Sequence, residues 1–257
     1  MALPMIYAIS SSLKPANELW MFPPRFFVRN PTMKNFSDLF VLMNDSWIPF
    51  SRYILNTVFI TAAGTAGHVI IASMCAYPIS KYKFPGTKIV FSLIVTSLMF
   101  STAVTAIPNY IIMSRIGWID TYAAIIIPAF GMPLGLFLMK QFMDQNIPVT
   151  ILEAADIDGA SELTKLFGIV MNMVKPAWLT LIIFSVQGLW GIGSSGFILS
   201  EKLKTMPYAF SQIQTAGVAR AGVGAAIAVI MMIVPVSVFI ITQSNIIETM
   251  TSSGIKE

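Results

Sequence analysis

YILNTVFITAAGTAGHVIIASMCAYPIS, residues 53–80, runs for 28 positions without an Asp, Glu, Lys or Arg. A helix needs about 20 predominantly apolar residues to cross the hydrocarbon core of a bilayer, and this stretch exceeds that. Residues 89–114, 121–139, 176–200 and 221–247 are likewise free of charge. Composition agrees: apolar types make up 56% of the 257 residues and charged types 11%, against about 25% charged in an average soluble domain. Mean hydropathy is +0.75. In lipid the backbone must satisfy its own hydrogen bonds, and these stretches lack the alternation, over about 10 residues, of a transmembrane barrel. The predicted fold class is an all-α membrane bundle, a single transmembrane domain over residues 1–257 with five complete spans.

Met1 to Ile9 is apolar but short, with neither a basic leader nor a small-residue cleavage site, so it does not read as a signal peptide. It reads as the end of a further helix that begins before this sequence. A polar segment of 10–52 follows, punctuated by Pro15, Pro23, Pro24, Pro31 and Pro49, and is expected to be loop and short helix. Pro108, Pro128, Pro133 and Pro235 interrupt the later spans, as hinges or as ordinary kinks. The lone Cys75 excludes an internal disulfide and is expected to be a buried small hydrophobe. A net charge of +4 without a basic run excludes nucleic acid as a partner.

Several chemistries lack their residues. Intramembrane ionisable groups mark proton and ion pathways, yet the spans hold only His68, without a carboxylate in its own span and best read as a packing residue. Gly191-x-Gly193-x-x-Gly196 has the spacing of a dinucleotide fingerprint, but follows Trp190 at the end of an apolar span rather than a strand. It is expected to be a flexible, close-packed turn. No phosphate-binding loop of the G-x-x-x-x-G-K-[ST] type occurs, and no catalytic, metal-binding or cofactor-binding set is found.

The charge that remains collects in 140–176, with Lys140, Asp144, Glu153, Asp156, Asp158, Glu162, Lys165 and Lys175. Thr150-Ile151-Leu152-Glu153 has the pattern of a capping box, which predicts a helix from Ile151 to about Asp158. Gly159 suits a left-handed C-terminal turn, Ser161 caps a second helix towards Lys175, and Pro176 marks the entry into the membrane. Two short helices joined at a glycine make a docking element, and Ala154 and Ala155 leave their backbone open to close approach. Positive charge does not orient the chain: seven Lys/Arg fall on the side of this loop and nine on the other.

Glu153-Ala154-Ala155-Asp156-Ile157-Asp158-Gly159-Ala160-Ser161 resembles the EAA signature of importer permeases in the ATP-binding-cassette superfamily, with Gly159 and Ile169 at the family's spacing. Met171 and Asn172 replace its Leu-Pro, while Pro176 is kept. Ser11 to Pro15, Pro31 to Phe36, Asn56-Thr57 and Ala76-Tyr77 are similar to the maltose-type second permease of the carbohydrate branch. Gly191 to Phe197, Gly217 to Val223 and the tail from Glu248 to Glu257 resemble permeases for alginate or pectin fragments. The resemblance implies a type I importer permease of six spans, the first truncated here, in the bacterial inner membrane. It implies a heterodimer with a second, homologous permease, two ATPase subunits that carry the ATP and Mg, and an extracytoplasmic substrate-binding protein. Glu153, Ala154, Ala155, Asp156, Asp158, Gly159 and Ala160 would couple to an ATPase from the cytosol, with 10–52 on the outer face. Gln187, Trp190, Ser194 and Ser195 are candidate sugar contacts, with ordinary packing as the competing reading. The nine Lys/Arg of the outer side face five acids, an excess suited to an acidic sugar or to docking a binding protein. An ion-coupled secondary carrier of a small solute stands as the alternative.

Overall fold

The computed structural model describes residues 3–44, 48–193, 196–215 and 217–253, with side chains except at 102, 218, 219 and 244–253. Among these residues all regular structure is helical. In chain order the principal helices are α1 (Leu3–Ser12), α2 (Lys34–Asn44), α3 (Phe50–Lys81), α4 (Thr87–Ser97), α5 (Thr102–Arg115), α6 (Ala123–Phe130) and α7 (Pro133–Asn146). They continue as α8 (Val149–Ile157), α9 (Glu162–Met173), α10 (Lys175–Trp190), α11 (Met206–Gln214) and α12 (Ala221–Ser253).

Among the described residues, three stretches are long and apolar enough to cross a membrane: α3, α6 with α7 as Ala123–Asn146, and α12 as Ala221–Gln243. The pair α9 and α10, bent by 84°, makes a fourth if read as one span. Within the complete span expected at 89–114 the helix is interrupted: α4 stops at Ser97 and α5 begins at Thr102. Thr96, Ser97, Ser101 and Thr102 flank the break. Hydroxyls of this kind compete for backbone groups, and Ser97 Oγ donates to the Ile94 carbonyl at 2.6 Å. Freedom from charge marks an apolar stretch, not a continuous helix. Likewise α10 ends at Trp190, ten residues before the charge-free stretch does. Cys75 is exposed rather than buried, because α3 buries the stripe of Ala72, Ser73, Ala76 and Tyr77, and Cys75 falls outside it.

The chain divides into two compact units. The first comprises Met1–Phe59 and Trp190–Ser237. Its core joins Leu39 and Met43 of α2, Tyr53 of α3, Trp190, Met206 and Phe210 of α11, and Val223, Ala226 and Ile227 of α12. Polar side chains close its irregular backbone. Asn35 Nδ2 donates to the carbonyls of Ser12 and Lys14, both at 2.8 Å. Glu18 accepts from the backbone N–H of Arg29 at 2.7 Å, and buried Lys14 donates to the Arg25 carbonyl at 2.5 Å. The start of α3 grips the turn before α11. Tyr53 donates to Glu201 at 2.6 Å, Asn56 Nδ2 to the carbonyls of Lys202 and Lys204 at 2.9 and 2.8 Å, and Thr57 Oγ1 accepts from Met206 N–H at 2.8 Å. Met206 opens α11, whose first N–H groups have no partner within the helix.

The second unit comprises Ile60–Leu189 and Val238–Glu257. Val69, Ala72, Ala76 and Tyr77 of α3 pack with Met139 and Met143 of α7, Leu152 of α8, Leu166 and Val170 of α9, and Ala177 and Leu181 of α10. The bend between α9 and α10 falls at Val174, with φ −99° and ψ 29°. Trp178 Nε1 reaches back across it to the Met171 carbonyl at 3.0 Å. Pro176 sits in the first turn of α10, where a missing N–H costs nothing.

Thr57→Val, of nearly the same shape, strands the buried Met206 N–H. It is expected to lower stability by about 1–3 kcal/mol, read as a lower melting temperature of the detergent-solubilised chain, while Thr57→Ser keeps the acceptor and retains most of the wild-type value.

Candidate functional site

Two contacts, one at a buried residue and one exposed, hold the charged loop to the second unit. Ile147, between α7 and α8, is 3% exposed, and its carbonyl accepts from Lys81 Nζ at 2.8 Å. Ser80 Oγ donates to Asp144 at 2.6 Å, and Asp144 pairs with Lys140 at 2.5 Å. From there α8 starts at Val149, two residues earlier than a cap at Thr150 would place it. Pro148 is its N-cap, with no side-chain cap bond. The predicted capping box is therefore not formed: Thr150 lies inside the first turn, and the proline supplies an extended residue ready-made for a helix start.

The end of α8 follows the sequence expectation. Gly159 has φ +75°, its N–H meets the Asp156 carbonyl at 3.0 Å, and Ala160 N–H meets the Ala155 carbonyl at 2.9 Å. This pair of bonds is the Schellman closure, and the left-handed residue in it favours glycine. Ser161 then caps α9, accepting from Thr164 N–H at 3.3 Å. Within α8, Leu152 and Ala155 face inward while Glu153, Ala154, Asp156, Ile157 and Asp158 face out. Gly159 is exposed and Ala160 half-buried. The two alanines thus divide their work: Ala155 allows α8 to lie close to its own unit, and only Ala154 keeps the outer face low. Ile157, 88% exposed, is a bare apolar side chain in the middle of that face.

The centre of the loop is Lys165, 1% exposed, whose ammonium lies 2.5 Å from Asp156 Oδ1 of α8 and 2.5 Å from Glu162 Oε1. The other Glu162 oxygen accepts from Tyr82 Oη at 2.6 Å and from Tyr77 Oη at 3.2 Å. One cation therefore links α8 through α9 to the end of α3. Hydrogen bonds to Asp156 and Glu162 hold the Lys165 ammonium well above the ordinary lysine range. Those from Lys165 and Tyr82 hold the Glu162 carboxyl below the usual carboxylate range. Lys165 also opens a six-residue π-helical stretch, Lys165–Val170, within α9; such wide turns often mark functional sites. Sequence reading placed Asp156 among outward coupling residues without seeing this clamp. The available signal was the Glu162–Lys165 spacing of three, which puts opposite charges on one helix face.

The four candidate sugar contacts have separate surroundings. Gln187 is exposed and borders a cavity in the second unit. Trp190 is buried in the core of the first unit and donates to the Met231 carbonyl at 2.9 Å. Ser194 and Ser195 lie outside the described residues. Gly193 and Gly196 have open space where a Cβ would stand, so this turn is not close-packed at those positions.

Residues 68–251 match the family described as binding-protein-dependent transport system inner membrane component. A putative ABC transporter permease protein from Caldicellulosiruptor is 29% identical over 99% of this chain and 91% of its own length. The melibiose/raffinose/stachyose import permease protein MelC of Bacillus subtilis is 26% identical over 99% of this chain and 91% of its own. Among solved structures, a bacterial ABC transporter involved in the import of the acidic polysaccharide alginate contains a chain with TM-score 0.75 at 20% identity, covering 95% of this chain and 90% of that one.

The Glu162 pairing contributes stability above the ordinary carboxylate range, and that contribution is lost as pH falls through the lowered folded value. Melting temperature in detergent should therefore drop below about pH 4, and Glu162→Gln should flatten that drop. Lys165→Met should lower the melting temperature at neutral pH and abolish the acid-dependent drop, since both carboxylates lose their cation.

The helical bundle, the bent α9–α10 pair behind a glycine-closed loop, and the match over 68–251 lead to one assignment: the chain belongs to the family of membrane permease components of binding-protein-dependent transport systems.

Proposed function

We propose that this chain is one permease of a heterodimeric, ATP-driven importer of oligo- or polysaccharides, contributing half of the translocation path. A second permease, two ATPase subunits and an extracytoplasmic binding protein complete the assembly. ATP and Mg belong to the ATPase chains, and the loop at 140–176 faces the cytosol with Glu153 to Ala160 seated on an ATPase. When ATP draws the ATPases together, α8 moves with its seat, and Lys165 passes the displacement to α9 and to the end of α3. The observation that carries this reading is the outer face of α8: Glu153, Ala154 and Asp158 around the bare Ile157, on a helix fixed at both ends. An exposed apolar residue ringed by charge is the composition of a docking surface, with an apolar centre and a polar rim.

The sugar class rests on likeness to MelC and, by fold, to the alginate importer. A basic excess in the extracytoplasmic segments would favour an acidic sugar through steering.

In proteoliposomes holding the whole complex, Glu153→Lys and Ile157→Asp are expected to reduce uptake by about tenfold or more, the scale of an interface hot spot. The permease itself should melt as wild type. Normal uptake, with normal substrate-stimulated ATP hydrolysis, in both variants would sink the reading.

A further inference from the structure

The second unit holds a set of polar side chains inside the membrane-spanning helices that the coupling loop does not use. Thr61, Thr65 and His68 recur at spacings of four and three, so they share one face of α3. All three are buried, at 6%, 8% and 2% exposed. The hydroxyls of Thr61 and Thr65 have no hydrogen-bond partner, and neither has Ser185 Oγ on α10, on a residue 1% exposed. A buried hydroxyl without a partner is destabilising, and lipid offers it no partner.

His68 and Ser185 also border a cavity of about 510 Å3, together with Ser97, Gln187, Phe100 and Phe184. That volume falls within the roughly 300–1,000 Å3 of small-molecule sites. The imidazole has a fixed role there. Its Nδ1 lies 3.2 Å from the Phe130 carbonyl, and a carbonyl only accepts, so Nδ1 carries the proton and Nε2 is left as an acceptor. Gly135 makes room for the ring, since a Cβ at that position would collide with Nε2.

Among the described residues, no carboxylate, lysine or arginine lines the cavity. It therefore offers neutral donors and acceptors beside two aromatic rings. A sugar ring has that same pair of surfaces, hydroxyls around its edge and a C–H face suited to stacking on an aromatic side chain. We propose that this cavity is a contact site for one sugar ring within this permease, with Ser185 Oγ and His68 Nε2 meeting sugar hydroxyls and Phe184 or Phe100 meeting the ring face. The proposal rests on the sugar-importer reading and adds where, within this chain, the sugar is met. The threonines one and two turns along α3 extend the same open hydrogen-bonding capacity beyond the cavity.

The test exploits the unsatisfied state of Ser185. Because its hydroxyl has no partner in the fold, Ser185→Ala should leave the melting temperature unchanged or raise it, the opposite of what a structural hydroxyl does. Uptake of radiolabelled stachyose and of an oligogalacturonate is measured with the whole complex in proteoliposomes. For whichever sugar the wild type carries, Ser185→Ala is expected to raise KM about two- to tenfold, the loss of one net hydrogen bond. Ser185→Leu, which fills the cavity, should abolish uptake with the chain still folded. In a Cys75→Ser background, Ser185→Cys should react with a small maleimide and be protected by that sugar. Unchanged KM in Ser185→Ala together with normal uptake in Ser185→Leu overturns the cavity site alone. A Ser185→Cys thiol blocked without sugar overturns it too, because a neighbouring chain or lipid then fills the space. A wild-type complex that carries neither sugar overturns the site together with the reading beneath it.

Discussion

Every backbone N–H and C=O in the bilayer needs a partner from the protein itself, and this constraint governs both the helices and the places where they stop. An unpaired group in hydrocarbon costs several kcal/mol. Several interruptions between the helices are closed by specific side chains. Thr57 accepts the opening N–H of α11, Asn56 spans two carbonyls of the turn before it, and Trp178 satisfies the Met171 carbonyl where α9 bends into α10. The residues that look like decoration on apolar helices are the ones that permit the helices to be interrupted.

The charged loop at 140–176 rests on a different balance. Water can hydrate the exposed sides of Asp156 and Glu162 while Lys165 stays buried between them. A buried cation with two half-hydrated carboxylates is a stiff joint, because removing either acid leaves the ammonium still held by the other. The joint binds α8 to α9 and, through Tyr77 and Tyr82, to the end of α3. A load applied to the outer face of α8 is therefore delivered to two membrane helices instead of being dissipated in the loop.

How much of this was legible in the sequence depends on the range of the interaction. The Gly159 turn and the Ser161 cap are local, set by backbone conformation over a few residues, and both stand where the residues place them. The family was legible in the Glu153 to Ser161 run for the same reason. The Thr150 box failed because a neighbouring proline offered a competing start to the helix. The interruption within 89–114 was not legible, because charge counting is blind to hydroxyls that break a helix. Of the Lys165 clamp only the Glu162–Lys165 spacing of three was local, and the partnerless hydroxyls of Thr61, Thr65 and Ser185 depend on chain segments far apart that no local pattern announces. Asn56-Thr57 lies between these cases: the pair was visible as a family likeness, but its work, holding a turn some 150 positions away, needed the fold.

Counting charges also misjudges what an incoming solute would feel. Nine Lys/Arg belong to the segments assigned to the outer side, but several of them serve the first unit itself. Lys14 is 2% exposed and donates to the Arg25 carbonyl. Lys204 pairs with Glu201 at 3.1 Å and lies over the Tyr208 ring, and Arg220 donates to the Ile213 carbonyl at 3.2 Å. The Lys204–Glu201 pair cancels within the count of nine against five and leaves its excess unchanged, while Lys14 and Arg220, held by neutral carbonyls, keep their charge but are fixed within the first unit. Among the described residues, the cavity lining in the second unit carries no charged residue, so long-range attraction and contact inside the membrane rest on different groups.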